Sequence, residues 1–117
     1  MSRYRWLPLL LLCGSIVSPG WAGDTQELSE VDTFLAKNCL ECHQGSEPEG
    51  GLDLTHFSLT ELSGETREVW IEVHDKVDAG EMPPDGELPR RRSESFRQTI
   101  SAAIVTAEGE DLARQRG

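Results

Sequence analysis

The sequence predicts a small, mainly α domain of three or four short helices joined by long loops. Two observations carry that class. Apolar residues recur at three- and four-residue steps in three separate stretches, and Gly, Pro, Ser and acidic residues fill the ground between them. No stretch alternates apolar and polar residues with a period of two, and no repeat or low-complexity tract is present.

The chain opens on a stretch that reads as a secretory signal. Arg3 and Arg5 precede an apolar run from Trp6 to Val17, too short to span a bilayer, and Gly20 and Ala22 are small residues placed for cleavage after Ala22. Residues 1–22 are therefore expected to be removed, leaving residues 23–117 as one exported domain, periplasmic in a bacterial cell and with no transmembrane anchor. A lipoprotein alternative would make Cys13 the acylated first residue, but Leu12 stands where that processing wants a small one. Removing 22 of the 117 residues takes two arginines with it, so the formal charge of −10 becomes −12. A field of that sign excludes nucleic-acid binding through net charge and favours a basic protein partner if it does more than keep the domain soluble.

Ser29-Glu30-Val31-Asp32 offers a cap and an acidic first turn, with Phe34 and Leu35 at helical spacing from Val31, which predicts a helix from about Ser29 to Asn38. Residues 44–57 then read as a loop, broken most strongly at Gly50-Gly51 and carrying one apolar motif, Leu52-Asp53-Leu54. Val69, Trp70, Val73 and Val77 predict a second helix from Glu65 to Ala79, with Gly80 as its C-terminal cap. Pro83, Pro84, Gly86 and Pro89 deny regular structure to the next stretch. Phe96, Ile100, Ile104 and Ala107 form one stripe, predicting a last helix from Ser93 to about Ala107 or beyond, and plain core packing accounts for that stripe.

The chemistry is concentrated in Cys39-Leu40-Glu41-Cys42-His43, the C-x-x-C-H pattern of covalent haem attachment, and past the signal these are the only cysteines. Two thiols three residues apart lie on one side of a helical turn, where they can add to the two vinyl groups of haem, and the adjacent histidine points the same way to reach the iron. One haem c is the cofactor this implies. A thioredoxin-like pair would need a βαβ context, and none is visible. A zinc site would need further ligands, whereas His56 and His74 stand alone.

Haem iron has a second axial position. Met82 is the best candidate: it is the one methionine beyond Met1, and it lies between Gly80-Glu81 and the stiffening Pro83-Pro84 rather than on a helix stripe. His74, on the acidic border of the second helix, and an open position are the alternatives.

The Cys39-to-His43 motif, Gly50-Gly51-Leu52-Asp53-Leu54, Trp70 to Val77 and Glu81-Met82-Pro83-Pro84, in that order, resemble the planctomycete-type cytochrome c domain, a branch of the class I cytochrome c fold. The resemblance spans about residues 34–104. It implies a cytochrome c-like fold in which crossing N- and C-terminal helices and long loops wrap a covalent haem, with His43 and Met82 as axial ligands. In that family the domain often ends much larger exported proteins, so the redox partner is expected to be either a basic protein or a larger exported dehydrogenase.

The expected function is single-electron transfer, as a free carrier or a subunit, with no independent catalysis. A peroxidase would need an open distal position, and a haem-binding sensor module would need a distal ligand that is easily displaced. Val31, Leu35, Leu52, Leu54, Trp70, Val73, Phe96 and Ile100 are the expected core around the haem. Arg90-Arg91-Arg92 is the one basic run in an acidic chain. It reads as a solvated turn, or else as a partner for a haem propionate or for an acidic protein surface.

Overall fold

The computed structural model describes residues 22–84 and 88–117. The expected signal segment lies outside them except for Ala22, as does Cys13. The elements are α1 (Ala22–Asn38), a single 3-10 turn (Glu49–Gly51), α2 (Gly64–Asp78) and α3 (Arg90–Arg116). No strand occurs among the described residues, so the mainly α class holds.

Helix α1 begins earlier than Ser29. Leu28 packs against the core one turn ahead of Val31 and so extends the apolar stripe upstream, and no Gly-Pro break interrupts the polar residues before it. Ser29 is an interior residue, its carbonyl accepting a hydrogen bond from Thr33 Oγ1 at 2.9 Å.

Helix α2 begins one residue before the expected start. Ser63 N–H donates to Thr66 Oγ1 at 3.0 Å, one half of a capping box. Its end is a Schellman motif: Gly80, at φ +72°, turns the chain so that Gly80 N–H reaches Val77 O at 3.1 Å and Glu81 N–H reaches Lys76 O at 2.9 Å.

Helix α3 begins three residues before the expected start and runs on beyond Ala107, as the sequence allowed. Pro89 supplies its N-cap, so the three arginines form its first turn instead of a preceding loop. At the far end Arg67 of α2 donates to Asp111 Oδ2 at 2.5 Å, and Arg114 bonds the other oxygen of the same carboxylate, which anchors the helix past Ala107.

Helices α2 and α3 run antiparallel, since Arg67 meets Asp111 at one end and Asp78 meets Arg97 at the other. Helix α1 meets α3 where the Phe34 and Phe96 rings stack with centroids 3.9 Å apart and Ser95 Oγ donates to Glu30 Oε2 at 3.3 Å. Val31, Leu35, Leu54, Leu59, Trp70, Val73, Val77, Phe96 and Ile100 form the core. Leu52 sits only partly buried at its edge, and Leu59 and Val77 take places beyond the expected set.

Candidate functional site

The site begins where α1 ends. Asn38 Nδ2 donates to Phe34 O at 2.9 Å and Cys39 N–H to Leu35 O at 2.9 Å, which closes the last carbonyls of the helix. The chain then makes one more helical turn, with Cys42 N–H on Cys39 O at 3.2 Å and His43 N–H on the same carbonyl at 3.0 Å. Cys39, Cys42 and His43 thus share one turn, as their spacing predicts.

His43 is held from the other side by the loop that follows. Its Nδ1 lies 3.1 Å from Leu52 O. A carbonyl only accepts, so Nδ1 carries the proton and the lone pair of the ring is left on Nε2. Leu54 N–H donates to His43 O at 2.9 Å, so residues 52 and 54 bracket the histidine from one strand of backbone. Two features bend the loop to that purpose. Gly50 and Gly51 both take positive φ, at +62° and +72°, and Asp53 Oδ1 accepts from Thr55 N–H at 2.9 Å in an Asx turn. The Thr55 hydroxyl and amide hold the Asp53 carboxyl below its ordinary range. This assigns physical roles to Gly50-Gly51-Leu52-Asp53-Leu54 that the sequence showed only as a loop motif.

The two thiols differ. Both are free, Cys42 exposed and Cys39 partly covered by the core. Burial pushes the Cys39 thiol up to about 11, the reverse of the activation a redox thiolate needs. Among the described residues no three His, Cys, Asp or Glu side chains converge into a metal-binding group.

Met82 sits just past the Schellman motif, its N–H on Lys76 O at 3.2 Å. Its side chain is 38% exposed, and it lines a cavity of about 180 Å³ with Val77, Pro83, Leu88, Arg90 and Ser93. None of Cys39, Cys42 and His43 lines that cavity. His74 is engaged at Nδ1 by Asp75 Oδ1 at 3.0 Å, and His56 is exposed beside Asp53.

Arg90 is tied down, with Nη2 on Asp78 Oδ1 at 3.1 Å, whereas Arg91 and Arg92 are exposed. Asp78 and Arg97 were not legible as functional residues. An acidic residue ending one helix, facing a basic one two turns into the next, is the signal that could have marked them.

Residues 39–86 match the family model described as Planctomycete cytochrome C. The match opens on Cys39 and includes Met82, while α1 and α3 lie outside it. No curated protein and no solved structure matches the chain.

Proposed function

We propose that this chain is an exported monohaem c-type cytochrome that exchanges electrons with redox partners, with His43 and Met82 as axial ligands of a covalent haem c, a reading that the match of residues 39–86 to the planctomycete cytochrome c family model supports. The observation that carries the reading is the attachment turn: Cys39, Cys42 and His43 on one turn, with His43 Nδ1 on Leu52 O at 3.1 Å.

The residues fit the group. Each thiol can add across one haem vinyl to form a thioether, and His43 presents the unprotonated nitrogen that a ferrous or ferric iron needs. Cys39 and Cys42 would hold the haem, His43 and Met82 would hold its iron, and the haem would supply reversible one-electron chemistry. Trp70 Nε1 and Arg67 Nε, one turn apart on α2, are buried donors with no acceptor among the described residues. A buried donor left so costs about 1–3 kcal/mol, and the haem carboxylates are acceptors of the right chemistry.

What the chain itself does is orient and protect. The Leu52 carbonyl fixes the tautomer and direction of the His43 ring, and Pro83 and Pro84 limit the freedom of Met82. Held by both His43 and Met82, the haem would exchange single electrons with little rearrangement, which suits a carrier or an electron-transfer subunit rather than independent catalysis. No helix among the described residues is long and apolar enough to cross a membrane. Export rests on residues 1–22.

The test is attachment. Protein made with a haem-attachment system should keep its haem through denaturation and acid–acetone extraction, and the Cys39→Ala, Cys42→Ala double variant should release it. Recovery of wild-type protein without covalent haem would remove the basis for the reading, and cell fractionation of the same material tests export.

A further inference from the structure

Met82 belongs to a segment whose flanks are tied together by charge. Asp78 ends α2 before it, and Arg90 opens α3 after it. Arg90 donates to Asp78 twice, from Nη2 to Oδ1 at 3.1 Å and from Nη1 to the main-chain oxygen at 3.4 Å. Arg97 donates from Nη1 to the same Oδ1 at 2.8 Å. The same guanidinium reaches back along its own helix, with Nε on Ser93 Oγ at 3.3 Å and Nη2 on Arg90 O at 3.4 Å. Ser93, 3% exposed, in turn donates to Arg90 O at 3.0 Å. One side chain therefore joins the last residue of α2 to the first turn of α3. Asp78, Arg90 and Ser93 also line the cavity that holds Met82 and Pro83.

The arrangement is not an incidental surface pair. Arg90, with a side chain 72% exposed, contributes little by itself, but Arg97 is 13% exposed, so its charge depends on Asp78 for compensation. Holding the two helices together does not require it, because Val73, Val77, Phe96 and Ile100 already pack between them. A cationic first turn also opposes the macrodipole of α3, so those charges need a local acceptor to be tolerated.

We propose that Arg97, acting through Asp78 and Arg90, is a positioning residue for Met82, fixing the flanks of its segment so that the sulfur stays on the haem iron. This rests on the reading of Met82 as distal ligand. Loosening the clamp increases the fraction of protein with the methionine off, and external ligands then bind more tightly in proportion to that fraction.

The experiment compares holoprotein variants by the weak Met–iron band at the red end of the ferric visible spectrum and by imidazole titration. Asp78→Asn and Arg97→Met should weaken the band and tighten imidazole binding roughly tenfold, and Arg97→Lys should recover part of both. Ile104→Ala, a core change remote from the clamp, serves as the stability control: it should lower the melting temperature and leave band and titration as in wild type. If Asp78→Asn does not fold, Arg97→Gln gives the same comparison, since it takes the buried guanidinium off Asp78 Oδ1. Wild-type band and imidazole affinity in the folded clamp variants overturn the proposal while leaving Met82 as ligand. A wild-type spectrum unaffected by Met82→Ala overturns the ligand reading and the clamp with it.

Discussion

At His43 a single main-chain oxygen does what a side-chain carboxylate does in many metal sites. Leu52 O fixes both the tautomer and the direction of the ring, and because it is backbone its position depends on the glycines before it rather than on the identity of residue 52. Cys39 shows the opposite influence, that of burial. Its thiol titrates at about 11 against an ordinary 9.0, so near neutral pH the thiolate fraction is roughly 100-fold lower than in an unperturbed cysteine. In the folded apo-chain, iodoacetamide should modify exposed Cys42 well before Cys39, and the Cys39 rate should climb about tenfold per pH unit up to about 11. The sign for stability follows from the raised value: the unfolded chain loses this proton first, so the contribution is whole below pH 9 and is lost as pH rises from about 9 to about 11. Equal alkylation of the two thiols, read by peptide mass mapping, would mean that the polypeptide does not bury Cys39 without haem.

At the scale of elements, Gly80 links helix termination to the site, since the turn that ends α2 also places the Met82 N–H on Lys76 O at 3.2 Å. Nothing lies within 4 Å of a β-carbon added there, so Gly80→Ala tests backbone conformation alone, at φ +72°. Urea unfolding should show a loss of about 1 kcal/mol, accompanied by a weaker Met–iron band, and an unchanged midpoint would remove the Schellman argument. The C-terminal end of α3 has its own dependence. Arg67 first, then Arg114, hold the Asp111 carboxyl below its ordinary 3.8, so this anchor is present above that pH and is lost as pH falls through the lowered value. Amide exchange in residues 108–116 should therefore accelerate on acidification before the core amides respond. These two ends also show what the sequence could and could not disclose. Val69, Trp70, Val73 and Val77 marked α2, and Gly80 its end, because periodicity and a left-handed cap are local properties. Ser29 and Ser93 misplaced the starts of α1 and α3 because tertiary contacts, from Leu28 to the core and from Arg90 to Asp78, decided them. The turn that joins Cys39, Cys42 and His43 was legible for the first reason, and the contact of Arg97 with Asp78 was hidden for the second.

At the scale of the whole molecule, five of the nine Lys and Arg side chains among the described residues are paired with acidic ones. Arg67, Lys76, Arg90, Arg97 and Arg114 each bond a carboxylate of the same chain. Of the tri-arginine run, Arg90 is paired with Asp78, which leaves Arg91 and Arg92 without a carboxylate partner among the described residues, while Glu68 and Glu72 stand exposed on α2 in a chain of net charge −10. The field a partner meets is thus acidic, and steering should favour a basic redox protein. Exposed charges are screened beyond about 8–10 Å at ordinary ionic strength. With a basic partner, the stopped-flow electron-transfer rate should fall steadily as salt is added, and Glu68→Lys with Glu72→Lys should slow it further at low salt. Replacing Arg91 and Arg92 by Gln should leave that rate level or raise it slightly, since it removes two exposed cations that oppose the acidic field at the start of α3. The reverse pattern, with the arginine variant impaired and the glutamate reversals harmless, would place the contact at the start of α3 and call for an acidic partner. A rate indifferent to salt and to both sets of changes would mean that docking is apolar and that the net charge serves solubility alone.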